Sequence, residues 1–176
     1  MQALVSDLMV LARLDEPGSG QLSFSDVDLD DVVREEAKLL QGTEVSLSGV
    51  SPLRIQGNER ELQRLVRNLL ANAGRYGRGH VSVELCRRGP HAVLTIEDDG
   101  RGIPLADRRR VFDRFTRLDA SRSRDEGGSG LGLALAKGIT DAHGGEIRIE
   151  DSSLGGARIV VVLPCDGVVG IALGAG

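Results

Sequence analysis

The segment 127–133, which reads GGSGLGL, constrains this chain more than any other stretch of its sequence. It runs directly into an apolar helical pattern that we expect to span residues 131–142 and to end at Gly144 and Gly145. Backbone N–H groups at the start of a helix, preceded by glycines, form a cradle for an anion. The segment is not a Walker A loop, because no Lys-Ser or Lys-Thr pair follows Gly132, and it does not follow a strand as a Rossmann turn does. A flexible linker is the alternative, although two leucines are unusual in a linker.

A second constraint is the acidic end of a predicted strand. Residues 81–85 alternate between apolar and polar side chains, and an apolar run follows after a glycine–proline turn, so the two predict a β-hairpin. The second strand ends at Asp98, and Gly100 and Gly102 come after it. A buried carboxylate at this point can accept a hydrogen bond from an exocyclic amine such as that of adenine, and the glycines let the backbone lie close to a flat ring. A tight turn with solvated acids is the alternative.

A third constraint is a long amphipathic helix predicted over residues 61–76, with Asn58 and Glu61 spaced as a capping box at its start. Asn68 and Asn72 lie one turn apart beside its apolar face. An amide oxygen is a hard ligand of the kind that Mg²⁺ accepts, and this ion keeps several waters, so one or two amides together with phosphates suffice. For an isolated pair of asparagines, a solvated polar face is the simpler explanation.

The remaining pattern predicts an α+β fold, with helices on one face of a mixed or antiparallel sheet and a more exposed opposite face. Residues 1–14 predict a helix with a stripe of leucines, which packs either on its own domain or in a helical bundle completed by another chain. A second helix follows a cap at Asp26 or Asp28. The polar segment 116–129 predicts a mobile loop. We also expect a short helix at 107–115 and short strands at 45–47, 53–55, 146–150 and 157–163.

The charge and cysteine content exclude some classes of function. The chain carries 22 basic and 26 acidic residues, a net charge of −4, so nucleic acid is disfavoured as a partner and the arginine runs are better explained as solvated or as part of the loop. Cys86 and Cys165 have no metal-ligand spacing and predict free thiols in a reducing cytoplasm. The N-terminal segment is too polar for a membrane span, and the apolar tail 165–176 is too short to cross a bilayer.

Taken together and in order, these segments resemble the GHKL ATPase superfamily, and more closely the catalytic and ATP-binding domain of bacterial sensor histidine kinases. The resemblance covers roughly residues 22–164, which we expect to form the ATP-binding kinase domain. The segments that resemble the family's motifs are residues 68–73 with Tyr76 (N box), 98–103 (G1 box), 112–115 with Arg117 (F box) and 128–133 (G2 box).

The resemblance implies the two-layer α/β sandwich of the GHKL, or Bergerat, type, with a mixed, mostly antiparallel sheet. ATP and Mg²⁺ would lie between the helical layer and a mobile ATP lid at 116–129. The resemblance also implies that Asn72 is the magnesium ligand and that Asp98 receives the adenine amine. The catalytic group that it implies consists of Asn72, Asn68, Arg75 and Arg117. The residues expected to contact the nucleotide are Asn68, Asn72, Arg75, Tyr76, Asp98, Gly100, Gly102, Ile103, Phe115, Arg117, Gly128, Ser129, Gly130, Leu131, Gly132 and Leu133.

The residue at position 68 separates kinases from hydrolases within the superfamily. Gyrase-type and MutL-type ATPases carry a glutamate there that activates water, whereas this chain has Asn68. The resemblance therefore favours transfer of a phosphoryl group to an acceptor over hydrolysis of ATP. An anti-sigma-factor-type serine kinase of the same fold and a non-catalytic nucleotide-binding scaffold are the alternatives.

The histidines of the chain do not fit the acceptor motif of the sensor kinases, which is a His followed directly by an acidic residue. His80 precedes a valine, His91 an alanine and His143 a glycine, so we expect all three to be structural. Residues 1–16 resemble the tail of the second helix of the dimerisation and phosphotransfer domain, and the acceptor-bearing first helix of that domain is not in the sequence.

The partner implied is therefore a His-bearing dimerisation and phosphotransfer domain. It lies either on a separate chain, as in a natural split kinase, or on a longer sensor kinase of which this chain is a piece. A response regulator is served indirectly. We expect a cytoplasmic location, at the inner face of the membrane through the partner, with no membrane span in the chain itself.

Overall fold

The computed structural model describes residues 2–15, 23–116 and 129–165. Four helices, seven strands and two 3₁₀ turns lie in these residues. The helices are α1 (Gln2–Asp15), α2 (Leu29–Lys38), α3 (Glu59–Tyr76) and α4 (Gly132–Ala142). The strands are β1 (Ser25–Asp28), β2 (Glu44–Val50), β3 (Arg54–Gly57), β4 (His80–Arg88), β5 (His91–Asp98), β6 (Glu146–Asp151) and β7 (Ala157–Pro164).

The main sheet has five strands in the order β2-β4-β5-β7-β6. β2 runs parallel to β4, and the other three pairs are antiparallel. The predicted hairpin is β4–β5, in which Val81 pairs with Asp98 at the open end and Arg88 pairs with His91 beside the turn. The prediction of an α+β fold with a mixed, mostly antiparallel sheet is therefore confirmed. A separate antiparallel pair, β1–β3, lies outside this sheet.

The hydrophobic core lies between the main sheet and the helices α3 and α4. Every second residue of β4 faces it, and Val81, Val83 and Leu85 are at most 2% exposed. Each fully buried aliphatic side chain contributes about 1.5–3 kcal/mol. The opposite face is less exposed than we predicted, because Thr95 and Val160, which alternate with the core-facing residues, are also buried. The core face of α3 consists of Leu62, Leu65, Val66, Leu69, Leu70 and Ala73.

The start of α3 is capped as predicted, but only half of the capping box forms. The side-chain oxygen of Asn58 accepts a hydrogen bond from the N–H of Glu61 at 3.1 Å. The N–H of Asn58 donates to Nε2 of His143 at 3.1 Å instead of to the Glu61 side chain. Because Nδ1 of His143 bonds to the carbonyl of Ile139 at 2.8 Å, this buried imidazole joins the C-terminus of α4 to the N-terminus of α3. The ring also stacks on Phe24.

The predicted helix over 107–115 is wrong. The structure has two 3₁₀ turns there, Leu105–Asp107 and Arg110–Phe112. Arg108 lies between the turns and donates to the carbonyl of Ile103 at 3.0 Å, and it also pairs with Asp151 at the end of β6. The contact with Asp151 ties the segment between the two turns to the end of β6.

The region before α2 contains a strand that the sequence pattern did not predict. β1 pairs with β3, and Asp28 is both the last residue of β1 and the residue before α2. Asp28 stands at the predicted cap position but makes no capping hydrogen bond. Its two carboxylate oxygens accept from Arg54 at 2.7 and 2.9 Å, so they are not directed at the helix N–H groups.

Helix α1 packs partly on its own domain. Val10 and Leu11 are buried and belong to the core, and Asp7 lies 3.9 Å from Arg64 of α3. Burial raises the pKa of Asp7 above its ordinary value, against the opposing effect of Arg64. Met9, by contrast, is 64% exposed. A partner helix on the exposed face of α1 stays a prediction. The side chains of Leu4 and Leu14 and the tail 166–176 lie outside the described residues.

No helix in the described part of the chain is long and apolar enough to cross a membrane. Cys86 and Cys165 are both free thiols, as predicted.

Candidate active site

The carboxylate of Asp98 is the most deeply buried acidic group at the open end of the β4–β5 hairpin. Its side chain lies on the core face of β5, and the residue is only 3% exposed. Oδ1 accepts hydrogen bonds from the N–H of Gly100 at 2.9 Å and from the N–H of Ala157 at 3.1 Å. Among the described residues, none donates to Oδ2. The alternative of a solvated acid is therefore wrong for Asp98.

Burial also changes the acidity of this group. Desolvation raises the pKa of Asp98 above its ordinary value, the N–H groups of Gly100 and Ala157 lower it in part, and the charge of Asp99 raises it further. The result is a carboxyl with a raised pKa in a site of low dielectric constant. When ionised, it is a strong hydrogen-bond acceptor for a donor that reaches Oδ2.

Glycine lets three loops close tightly around Asp98. A Cβ on Gly100 would lie 2.2 Å from the carbonyl oxygen of Tyr76, and one on Gly156 would lie 2.1 Å from Oδ1 of Asp98. A Cβ on Gly77 would lie 2.6 Å from the carbonyl oxygen of Ala73. The turn after β5, the C-terminus of α3 and the turn before β7 therefore meet without room for a methyl group.

The next residue, Asp99, fixes the loop between α3 and β4. Its Oδ1 accepts from the N–H of Arg78 at 2.6 Å and from the N–H of His80 at 3.3 Å. The first of these bonds is the largest cause of a pKa for Asp99 below its ordinary value. The two consecutive carboxylates thus bind different loops, which holds the C-terminus of α3 beside the end of β5.

Of the two asparagines of α3, Asn68 lies beside the start of α4. Asn68 donates from Nδ2 to the carbonyl of Arg64 at 2.8 Å, which leaves Oδ1 as its acceptor. A Cβ on Gly132 would lie 3.0 Å from that oxygen, so the first turn of α4 passes close to Asn68. Asn72 is half-buried one turn further along and makes no hydrogen bond with any residue that the structure describes. Its amide is available to an external group.

The glycine-rich segment forms the start of α4, as predicted. Leu131 is fully buried, and its N–H donates to Oγ of Ser129 at 3.3 Å. The carbonyl of Gly130 accepts from the N–H of Phe115 at 3.0 Å. Both of these residues have positive φ, +62° at Phe115 and +70° at Gly130, and Phe115 remains 61% exposed. The two ends of the predicted lid are therefore held together.

The other predicted residues surround these contacts. Ile103 and Leu133 are partly buried against the core, and Gly102 has φ +71° where a Cβ would lie 3.2 Å from the Gly156 carbonyl oxygen. Arg75 and Tyr76 are exposed at the C-terminal end of α3. Arg117 and Gly128 lie outside the described residues. The C-terminal end of α3 thus contacts the turn after β5, and the middle of α3 contacts the start of α4.

A family profile decides what kind of site this is. The profile described as "Histidine kinase-, DNA gyrase B-, and HSP90-like ATPase" matches residues 57–167, which is more than half of the chain and includes Asp98, Asn72 and the start of α4. The chain belongs to this ATPase family. The GHKL-type fold predicted from the four motifs is confirmed, and the histidine kinase-like ATPase chain is similar to sensor histidine kinases in particular.

Two solved structures and one curated relative make that similarity concrete. The sensor protein RstB of Escherichia coli K12 is 37% identical over 163 residues, which are 90% of this chain and 37% of RstB. The structure of the mycobacterial sensor histidine kinase MprB is 35% identical, with a TM-score of 0.70, and the match covers 80% of this chain and 97% of that one. A structure of full-length ShkA in complex with AMPPNP has 28% identity and a TM-score of 0.78, over 92% of this chain and 35% of that one.

This chain spans well under half the length of the curated relatives that it matches. RstB is covered over 37% of its length, and the sensor histidine kinase RppB of Synechocystis over 38%. MprB, compared as a solved structure, is covered almost completely. The part of the family represented in this sequence is therefore the ATPase domain.

Several residues around Asp98 in this ATPase chain were missed by reasoning from sequence. Gly156 and Ala157 supply the close contact and the second N–H group, and Asp99 holds the neighbouring loop. The glycine pair at positions 155–156 does signal a turn before β7. Nothing in the local sequence indicates that this turn meets Asp98, because the contact depends on the register between β5 and β7.

Proposed function

We propose that this chain is the ATP-binding catalytic module of a two-component sensor histidine kinase. It presents Mg-ATP for transfer of the γ-phosphoryl group to a histidine on a dimerisation domain, which is carried by the same longer protein or by a separate chain. The observation that carries the proposal is the buried carboxylate of Asp98, with one oxygen held by two backbone N–H groups and the other without a protein donor among the described residues. The AMPPNP complex of ShkA supports an ATP-like ligand.

The adenine end of the site is assigned to the turn after β5. Oδ2 of Asp98 accepts the hydrogen bond of the exocyclic amine, because Oδ1 is held by the N–H groups of Gly100 and Ala157 and no described residue donates to Oδ2. The backbone at Gly100 and Gly102 is proposed to lie against the ring, while the side of each glycine that a Cβ would occupy faces Tyr76 or Gly156. Ile103 supplies apolar contact, and the exposed ring of Tyr76 lies beside the adenine or ribose.

The metal end is assigned to the amides of α3. Asn72 offers an amide oxygen with no competing partner among the described residues, and Asn68 directs its own oxygen toward the start of α4. No group of three or more His, Cys, Asp or Glu in the described residues could hold a metal ion by itself. The donor set therefore fits Mg²⁺, which takes few protein ligands and binds together with phosphates. The bound ion would supply charge neutralisation at the phosphates.

The phosphate end is assigned to the first turn of α4 and to nearby cations. The segment from Ser129 to Leu133 supplies backbone N–H groups at a helix start, which favour anions. Gly128, which lies outside the described residues, is proposed to contact the nucleotide as well. Arg75 and Arg117 are proposed to contact the phosphates. Phe115, the residue before the predicted lid, is proposed to lie over them. Such transfer reactions depend mainly on positioning and charge neutralisation.

The chemistry of position 68 favours transfer over hydrolysis. An amide cannot take a proton from an attacking water, and Asn68 already uses its NH₂ group on the carbonyl of Arg64. The acceptor is not His143, because both of its ring nitrogens bond to backbone groups. We therefore propose that a His-bearing dimerisation and phosphotransfer domain completes the reaction and that a response regulator receives the phosphoryl group from it.

We also propose a role for the N-terminal helix. Residues 1–16 belong to the second helix of that dimerisation domain, and residues 22–164 form the kinase domain, followed by a tail at 165–176. The exposed side chains of Val5 and Met9 on α1 support a second contact surface on this helix. The partner domain would place the chain in the cytoplasm at the inner face of the membrane.

Phosphoryl transfer to a supplied acceptor tests the proposed function. The 176-residue chain is incubated with γ-labelled ATP, Mg²⁺ and the His-bearing domain encoded nearest to it, and the label on that domain is followed. We expect an acid-labile and base-stable label that disappears when the acceptor His is replaced by Gln. An acid-stable label would instead indicate a serine kinase, and an absence of label despite tight ATP binding would indicate a scaffold; either result overturns the proposal.

A further inference from the structure

Glu97 lies next to Asp98 but points to the opposite face of β5. Successive side chains of a strand alternate between faces, and Glu97 pairs across the sheet with Arg158 while Asp98 faces the core. Oε1 of Glu97 lies 3.6 Å from Nε of Arg158. Because Glu97 is on the far side of the strand, it does not reach the proposed nucleotide pocket.

The second carboxylate oxygen of Glu97 holds the turn before β7. Oε2 accepts from Oγ of Ser152 at 2.8 Å, from the N–H of Ser153 at 3.0 Å and from Oγ of Ser153 at 3.1 Å. Among the described residues, Glu97 is the only one outside the segment 152–156 whose side chain bonds to it. Burial raises the pKa of Glu97, but these three bonds and the charge of Arg158 together outweigh it, so the pKa lies below its ordinary value.

The turn is also closed by hydrogen bonds of its own. Ser152 is bonded within the turn in three ways: its N–H donates to the carbonyl of Gly156 at 3.0 Å, its carbonyl accepts from Gly155 at 3.1 Å, and its Oγ accepts from Leu154 at 3.0 Å. The position of Ser152 therefore fixes the position of Gly156.

The far end of the same turn contacts Asp98. The N–H of Ala157 donates to Oδ1 of Asp98, and the backbone at Gly156 packs so closely that a Cβ would lie 2.1 Å from Oδ1. We propose that Glu97 is a positioning residue: by anchoring Ser152 and Ser153 it holds Ala157 and Gly156 against Asp98, and so fixes which carboxylate oxygen faces the pocket. Its consequence for nucleotide binding rests on the proposed function.

The simpler role for Glu97 is a surface ion pair with Arg158. Glu150 provides a control for that role: it lies on the same face of the sheet, 3.7 Å from Arg158, also pairs with Arg148 at 2.7 Å, and has no hydrogen bond to the turn among the described residues. Removing Glu150 takes away a similar charge from the same arginine. An effect seen in Glu97→Ala but not in Glu150→Ala is therefore due to the loss of the contacts between Glu97 and the turn.

Amide hydrogen exchange of Ala157 in the ligand-free chain is the direct test. In Glu97→Ala we expect the Ala157 N–H to exchange about tenfold faster, which corresponds to the loss of a hydrogen-bonded anchor. Glu97→Gln keeps a carbonyl acceptor for the serines and should restore most of the protection. Equal exchange rates in Glu97→Ala and Glu150→Ala would overturn the inference. Should Glu97→Ala fail to fold, the exchange rate of the Ala157 N–H in the double variant Ser152→Ala/Ser153→Ala tests the same contacts.

ATP affinity is the second readout and separates the two proposals. If the wild-type chain binds ATP, Glu97→Ala should weaken binding by about fivefold to tenfold while Glu150→Ala leaves it unchanged. The serine double variant should match Glu97→Ala and add nothing to it, because both remove the same anchor. Unchanged affinity in Glu97→Ala would overturn the inference. If the wild-type chain binds no nucleotide, the proposed function fails, and the exchange of Ala157 still decides the role of Glu97.

Discussion

Nε2 of His143 accepts a hydrogen bond from the backbone N–H of Asn58 across 85 positions of sequence. Because Nε2 accepts this bond, it carries no proton, so Nδ1 is the protonated nitrogen and donates to the carbonyl of Ile139 at 2.8 Å. Burial accordingly lowers the pKa of His143 below its ordinary value. One neutral imidazole thus links the ends of the two helices that carry the candidate site.

Acid should destabilise the protein through this histidine. In the unfolded chain His143 takes up a proton near pH 6.5, whereas in the folded chain its pKa is lower. The contribution is fully present above the unfolded pKa and is lost as pH falls from there toward the folded pKa, with a slope of at most about 1.4 kcal/mol per pH unit. Urea unfolding between pH 5 and 8 should show this slope in the wild type and a flatter line in His143→Gln. The exposed His91→Gln should behave as wild type, and identical slopes in all three proteins would contradict the assignment.

Replacing Asp98 should remove nucleotide binding and leave the fold. Asp98→Ala deletes the proposed acceptor of the adenine amine, and a donor left without its partner costs about 1–3 kcal/mol, or roughly 5-fold to 150-fold in affinity. Isothermal titration with ATP measures this loss, and circular dichroism checks the fold. The control is Asp141→Ala, an exposed carboxylate of α4 that pairs only with Lys137 among the described residues. Normal ATP binding or normal transfer by Asp98→Ala would contradict the assigned role.

Replacing Asn72 should remove the contribution of magnesium. Asn72→Ala should abolish transfer and reduce by roughly tenfold or more the gain in ATP affinity that Mg²⁺ brings, since contacts to charged groups contribute about 1.5–3 kcal/mol. Affinity measured with Mg²⁺ and with EDTA gives this ratio. Gln63→Ala removes an amide from the same helix, where it bonds to Glu59, and should leave the ratio unchanged. An unchanged ratio in Asn72→Ala would remove this residue from the metal site.

Adding a methyl group at Gly100 should loosen the junction between β5 and α3. The new Cβ would lie 2.2 Å from the carbonyl oxygen of Tyr76, so the two loops must separate. We expect the free energy of unfolding to fall by about 1–3 kcal/mol, the usual cost of overpacking, with weaker ATP binding. Gly42→Ala adds the same methyl at φ +72° where no atom lies within 4 Å, and it measures backbone strain alone. Gly100 has no positive φ, so strain of that kind does not add to its loss, and unchanged stability in Gly100→Ala would contradict the packing argument.

The helices of this protein were predictable because their signals are local. The apolar spacing of α3 and the cap at Asn58 lie within the helix and the residue before it, and the boundary at Tyr76 was correct. β1 was not predictable, because Ser25–Asp28 becomes a strand only by pairing with β3, 26 to 32 residues away. The parallel pairing of β2 with β4 is likewise a property of the assembled sheet. The 3₁₀ turns around Arg108 depend on a contact with Asp151 that the local sequence does not reveal.

The candidate site divides in the same way. Asp98, Asn72 and the glycines before α4 could be selected from sequence, because each lies in a short pattern with its own chemical meaning. Their assembly could not, because it depends on contacts such as that of Ala157 with Asp98, which join residues 59 positions apart. Gly156 has no side chain that could suggest a chemical role, so only the close packing of its backbone against Asp98 reveals its importance.

Strand β5 places two neighbouring carboxylates on opposite faces of the sheet. This arrangement restricts which insertions and deletions the gene can tolerate. Deleting or inserting one codon between the hairpin turn and Glu97 would move every later side chain to the other face. Glu97 would then enter the core and Asp98 would face outward, so both assigned roles would be lost in a single event. Changes in length are tolerable within the hairpin turn itself, because Arg88 and His91, which flank it, are exposed. The spacing between the turn and the acids is therefore as strict a requirement as the acids themselves.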